Sequence, residues 1–108
     1  MINNKIFTYV GFSMRAGKLK TGVNAIKTVK KGIYLIIVCN TASANSVKEA
    51  EKLSSRFYCP LYQTVTFTVE ELVDKENCKV IAILEQELAK AIIKNAGEDL
   101  KEFSGGNE

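Results

Sequence analysis

Residues 33–39 read Ile33-Tyr34-Leu35-Ile36-Ile37-Val38-Cys39, and this stretch decides the fold. It is the longest apolar run in the chain, seven residues, and it is rich in β-branched side chains. Seven is far short of the ~20 needed to cross a bilayer. Polar and apolar residues do not alternate in it, so the spacing predicts a strand buried on both faces in the middle of a sheet. Such a strand needs helices on both sides to cover it. The rest of the chain supplies them.

After this strand, Asn40-Thr41-Ala42-Ser43 reads as a loop ending in an N-cap. A helix follows over about 44–58, with Val47, Ala50, Leu53, Ser54 and Phe57 as its inner stripe. Cys59-Pro60 ends that helix, and Leu61-Tyr62-Gln63 is a short strand. Thr68 and Glu71 fit a capping box that opens a short helix through Val73. Asp74-Lys75-Glu76-Asn77 is a turn, and Lys79 to Leu84 is a second strong strand. A last helix places Leu88, Ala91, Ile92 and Ala96 on one face and ends at Gly97.

Before the central strand, Ile6, Phe7, Val10 and Met14 recur at helical spacing over 4–16, and Gly17 stops the helix. Lys18 to Thr21 is an edge strand. A second helix is expected from Gly22 to Gly32. The alternation of helix and strand predicts an α/β fold, a three-layer α/β/α sandwich around a mixed four-stranded sheet. A chain of 108 residues with 46% apolar content is expected to form one domain, here over 1–97, with 98–108 a flexible C-terminal tail.

Charge is distributed unevenly. Residues 1–31 carry seven Lys/Arg and no Asp or Glu, a sum of +7, while residues 32–108 carry eight bases and twelve acids, a sum of −4. The whole-chain value of +3 conceals this. A face with such an excess suits a polyanion. On the wheel of the second helix, Ala25, Ile26 and Val29 fall on one side, and Lys27, Lys30 and Lys31 gather on the other with Val23 and Asn24. A lysine-rich solvated helix would account for Lys30 and Lys31 alone. It leaves Lys18, Lys20 and Lys27 unexplained around the helix start, where backbone N–H groups lack intrahelical acceptors. The candidate polyanion-binding residues are therefore Lys18, Lys20, Gly22, Val23, Asn24, Lys27 and Lys31.

Other chemistries find no support. The chain has no histidine, which removes ordinary zinc sites, Ser-His-Asp triads and histidine acid–base catalysis. Cys39, Cys59 and Cys78 are widely spaced and odd in number, so they read as reduced and mostly as small buried hydrophobes. Gly11 to Lys18 misses the phosphate-loop spacing, and Leu19 stands where a magnesium-binding hydroxyl is required. The acid pairs Glu70-Glu71 and Glu49/Glu51 fall on exposed helix starts and faces. The expectation is no enzyme, no cofactor and no metal. The first residues open no long apolar segment, so no secretory signal is expected, and the reduced cysteines point to a cytoplasmic setting.

The block Val10-Gly11-Phe12-Ser13-Met14-Arg15-Ala16-Gly17-Lys18-Leu19-Lys20-Thr21-Gly22, its lysine-rich continuation, and Tyr34 to Ser43 together resemble the small bacterial YlxQ-type proteins. These belong to the kink-turn-binding ribosomal protein superfamily of archaeal L-seven-Ae and its L-thirty-e relatives. The Arg15-Ala16-Gly17-Lys18-Leu19 run is the most specific part, with weaker echoes at Cys59-Pro60-Leu61 and Lys79 to Leu84. The resemblance covers about residues 4–96 and implies an L-thirty-e-like fold. It further implies RNA held by the start of the second helix and by the loop before the last strand. Of the family's Gly-x-Asn-Glu-x-x-Lys motif, Gly22 and Asn24 match, while Ala25 and Thr28 replace the Glu and Lys. Ala25 has no group to read a base edge. The loop is Asp74-Lys75-Glu76-Asn77, which is acidic on balance, and Leu72-Val73 stands for the usual Leu-Gly.

The expected function is thus that of a ribosomal-type RNA-binding protein, part of a ribonucleoprotein. It would meet rRNA or a kink-turn-like element through phosphate contacts, with ribosomal proteins as neighbours, no membrane, and a monomeric state. Two alternatives stay open: a protein-interaction module of the same fold meeting a basic partner through Glu70, Glu71, Asp74 and Glu76, and an enzyme or enzyme subunit binding a phosphorylated small molecule at the Gly22 helix end.

Overall fold

The computed structural model describes residues 4–103. Its elements are α1 (Lys5–Arg15), β1 (Leu19–Thr21), α2 (Val23–Lys27), β2 (Leu35–Val38), α3 (Ala44–Phe57), β3 (Leu61–Thr64), α4 (Val69–Val73), β4 (Val80–Ile83), α5 (Gln86–Lys94) and β5 (Leu100–Glu102). The strands form one sheet of five in the order β1-β4-β2-β3-β5. β2 runs parallel to β3, and the other neighbours are antiparallel. The fold is mixed α/β.

β2 occupies the centre, and all four of its residues are buried, as its unbroken apolar run requires. Its side chains alternate between two cores. Leu35 and Ile37, with Ile81 and Ile83 of β4, meet Ile6 and Val10 of α1, Leu72 of α4 and Ile92 of α5. Ile36 and Val38, with Val80 and Ala82, meet Ile26 of α2 and Ala50 and Leu53 of α3. Each fully buried isoleucine contributes about 1.5–3 kcal/mol of transfer free energy. The caps expected at Ser43 and at Thr68 with Glu71 are formed.

Two expectations need correction. The sheet has a fifth strand, β5, inside the segment expected as a flexible tail. Leu100 is buried, and the Asp99 carboxylate accepts from Asn4 Nδ2 (2.7 Å) and Thr66 Oγ1 (2.6 Å) just before it. The folded unit therefore runs through Phe103, and the remainder of the expected tail, 104–108, lies outside the described residues. The second correction concerns α2, which ends at Lys27 rather than near Gly32. Thr28 turns its hydroxyl back onto the Ala25 carbonyl (2.7 Å), and Arg56 donates to the carbonyls of Lys27 (3.3 Å) and Val29 (3.2 Å). These donors satisfy the last carbonyls and release the chain from the helix.

Candidate nucleic-acid interface

β1 passes into α2 through Gly22, whose φ of 89° and ψ of 147° suit glycine almost alone. No heavy atom outside its chain neighbours lies within 4 Å of a Cβ built there, so conformation rather than crowding selects glycine. The Gly22 N–H donates to the Val80 carbonyl at 2.8 Å. That bond ties α2 to the start of β4, and it removes Gly22 from the amides expected to meet a phosphate. The first intrahelical bond runs from Ile26 N–H to the Gly22 carbonyl, and Gly22 has no side chain to cap with. The N–H groups of Val23, Asn24 and Ala25 are therefore left for an outside acceptor.

These residues form one wall of an open groove of about 520 Å³. Thr21 to Ala25 face Asn77, Lys79 and Val80 across it, with Ser46 from the first turn of α3. No Asp or Glu is among the lining residues. The two regions that the resemblance implies, the start of the second helix and the approach to β4, thus share one concavity.

The approach to β4 is held by its own acid. Glu70 accepts from the Asn77 N–H (2.6 Å) and from Lys79 Nζ (3.1 Å). The Lys79 hydrogen bond, then the Asn77 N–H, holds the Glu70 carboxyl below its ordinary range. Lys79 Nζ also donates to Thr41 Oγ1 (2.9 Å), and Lys75 Nζ donates to Thr21 Oγ1 (3.0 Å). Asp74 and Asn77 adopt left-handed backbone, with φ of 54° and 62°. The acidic balance expected of this loop therefore does not face the groove. Glu70, Glu71, Asp74 and Glu76 line a separate cleft of about 300 Å³ with Lys75.

No family model matches the chain, and no curated protein matches it. Its fold is similar to that of a solved protein of unknown function from Bacillus halodurans. The TM-score is 0.69 at 18% identity, over 85% of this chain and 96% of that one. At this identity the likeness concerns the fold alone.

The residues expected at the site divide. Gly22, Val23 and Asn24 line the groove, and Lys20 precedes its first residue. Lys18, Lys20, Lys27 and Lys31 are not in its lining. Lys27 Nζ pairs with Glu49 Oε1 at 3.3 Å, so α3 already answers its charge. Sequence reasoning missed Ser46 and Lys79 of the lining, and Lys75, which lines the acidic cleft and reaches the groove wall through Thr21. The resemblance pointed to the loop before β4, but its net charge hid which way the lysines turn.

Behind the groove, the buried Cys39 thiol shares a 3.0 Å hydrogen bond with Thr41 Oγ1 and accepts from the Val69 N–H at 3.4 Å. Burial opposes its ionisation. The Thr41 hydroxyl and N–H, the Val69 N–H and the Lys79 ammonium outweigh burial and draw its pKa below the ordinary value. Cys59 has no comparable donors, and burial pushes it up to about 11. All three cysteines are buried and unbridged; burial of Cys39 and Cys59 is what the sequence suggests.

Proposed function

We propose that this chain is a non-enzymatic, cytoplasmic RNA-binding protein of the ribosomal type. In this reading it is a YlxQ-type member of the kink-turn-binding superfamily with the L-thirty-e-like three-layer sandwich. The observation that carries the reading is the groove, whose lining joins unsatisfied N–H groups to Lys79 and holds no carboxylate of its own, Glu70 reaching Lys79 from the neighbouring cleft. The Val23 to Ala25 amides, Lys75 and Lys79 grip phosphates. Asn24 offers its side-chain amide to a base edge, and Ala25 offers nothing. Binding of this kind selects RNA shape more than base sequence.

Titrating structured rRNA fragments, a kink-turn among them, at two salt concentrations tests the reading. Binding that weakens as salt rises supports it. No binding at low salt, or an affinity indifferent to salt, refutes it. The acidic cleft of Glu70, Glu71, Asp74 and Glu76 favours a second reading, a module that docks a basic protein segment. A partner that stays bound after nuclease treatment would support that alternative.

A further inference from the structure

The exposed large hydrophobic residues among those described are Phe12 (46%), Met14 (43%), Tyr34 (41%), Tyr58 (95%) and Val65 (45%). Scattered exposed hydrophobics need no special explanation. Four of these five, however, gather at one end of the sheet. β1, β2 and β3 all point the same way, so their first residues share an end. Phe12 and Met14 lie in the last turn of α1, which is joined to that end by the Lys18 N–H bond to the Ser13 carbonyl (2.8 Å). Tyr34 immediately precedes β2, and Tyr58 lies three residues before β3. The groove lies at the opposite end, where β1 finishes and β4 begins. The two ends are one strand length apart, ~10–13 Å at ~3.3 Å per residue.

Tyr34 is rigidly placed. Its N–H donates to the Ile83 carbonyl (2.9 Å), extending the β2–β4 ladder by one residue, and the Leu84 N–H donates to the Lys18 carbonyl (2.8 Å). By this register Lys18, Leu84 and Tyr34 form a row across three strands, on the face that α2 covers. Ile26 of α2 packs with the next row, which includes Ile36 and Ala82, and α2 stops at Lys27. The early end of α2 is thus what leaves Tyr34 open. Tyr58 is stranger. It holds left-handed backbone, φ 54° and ψ 44°, which is rare for a bulky residue, and its ring buries almost nothing. Glycine would fill this helix-ending position at less cost, so the core gives no reason for a tyrosine there.

Cations stand close in sequence to both phenols; of the acids at this end, Glu85 beside Leu84 caps α5 by accepting from the Leu88 N–H (2.7 Å), and Glu102 lies opposite Tyr62 on β5. Arg56 donates to the Lys27 and Val29 carbonyls, which brings the exit of α2 against the residues leading into Tyr58. Lys30 and Lys31 follow at once and are exposed. Residues 1–48 contain no Asp or Glu, and the first acid, Glu49, is already engaged by Lys27 and Lys52. Protruding aromatic rings among lysines form a stacking platform for unpaired bases, with the phosphates held alongside. A duplex would offer those rings no open base face. Resting on the RNA reading above, we propose that this end of the sheet is a second contact. It takes unpaired nucleotides that flank the structured element in the groove, with bases stacked on Tyr34 and Tyr58 and phosphates on Lys18, Lys30 and Lys31.

The test uses one structured RNA with and without unpaired flanks of about eight nucleotides, within the usual span of such sites. Affinities are measured for the wild type, the Tyr34→Ala/Tyr58→Ala double variant and the Tyr34→Phe/Tyr58→Phe double variant. The flanks are expected to tighten wild-type binding by roughly tenfold or more, in line with stacking energies. The alanine pair loses that gain and keeps its affinity for the unflanked RNA, while the phenylalanine pair retains the gain. Equal wild-type affinity for the two RNAs overturns this proposal and leaves the groove reading standing. An alanine pair that weakens both RNAs alike also overturns it. Failure of both RNAs to bind the wild type sinks the two readings together.

Discussion

Replacing Lys75 and Lys79 with methionine tests the groove most directly. Each ammonium is fixed by a threonine, Lys75 by Thr21 (3.0 Å) and Lys79 by Thr41 (2.9 Å), so both are held in place before any ligand arrives. Lys79 lines the groove, Lys75 reaches its wall through Thr21, and Lys20, one residue before that wall, adds a third cation at its edge. Three contacts give a slope of log affinity on log salt of about −2.1 to −2.7. Raising potassium chloride from ~50 to ~200 mM should then weaken unflanked RNA about 20–40-fold. Without Lys75 and Lys79 one contact remains, and the same change should weaken binding only about threefold. Lys79→Met also strips Glu70 of its ion-pair partner and leaves a carboxylate near the groove. The variant is therefore made again in a Glu70→Gln background, where only the loss of the cation is read. Glu70→Gln alone releases Lys79 and should tighten binding. Fluorescence titration of a labelled RNA across the salt series provides the measurement. A slope that survives the loss of both lysines would show that neither touches phosphate, and the groove would lose its assigned role.

Three further outcomes are expected. Gly22→Ala should destabilise the fold by about 1–3 kcal/mol through its backbone angles, and D-alanine introduced there by semisynthesis should be near neutral. Urea unfolding distinguishes the two, and equal losses would mean crowding, contrary to the open space around that position. Lys27→Ala should change the affinity for unflanked RNA by no more than roughly twofold, because Lys27 lies outside the groove lining and is turned to Glu49 of α3. A large uniform loss would return Lys27 to the binding site. Finally, Cys59 is pushed up to about 11 in the folded chain, so its thiol stays protonated while the unfolded chain gives up its proton near 8.5. Stability should therefore fall as pH rises between those values. Urea midpoints at pH 7 and pH 10, compared with those of Cys59→Ala, check this. The wild type should lose more, and identical losses would place the alkaline sensitivity elsewhere.

The sequence made some features plain for physical reasons and concealed others for reasons just as physical. Residues 33–39 announce a central strand because burial on both faces forces an unbroken apolar run. Ser43 and the Thr68–Glu71 pair announce their helices because a cap acts within three residues. β5 was invisible because Leu100 alone of its three residues is buried, and the bonds that hold Asp99 come from Asn4 and Thr66. The end of α2 was misread for a similar reason: Arg56, twenty-nine residues from Lys27, supplies the donor that releases the helix. Within the candidate site, Gly22 to Asn24 were legible because a glycine before a helix start is a local signal. Lys75 and Lys79 were not, because counting charges cannot show that Glu70 is consumed in fixing its own loop.

The lysine-rich stretch that looked like one cationic patch is divided by the fold. β1 carries the chain to the groove, α2 turns it back, and Lys30 and Lys31 arrive beside Tyr34 at the far end. Lys18 and Lys20 stand between, two residues apart on an edge strand, both exposed. On that edge they have an ordinary duty, since lysines discourage a second strand from pairing there. Two residues apart on a strand also means one shared face, so they mark a cationic path along the sheet edge between groove and phenols. The other path, over α2, leads past Glu49. An RNA held at both ends therefore follows β1, and the two lysines that the groove leaves unused or peripheral become its track.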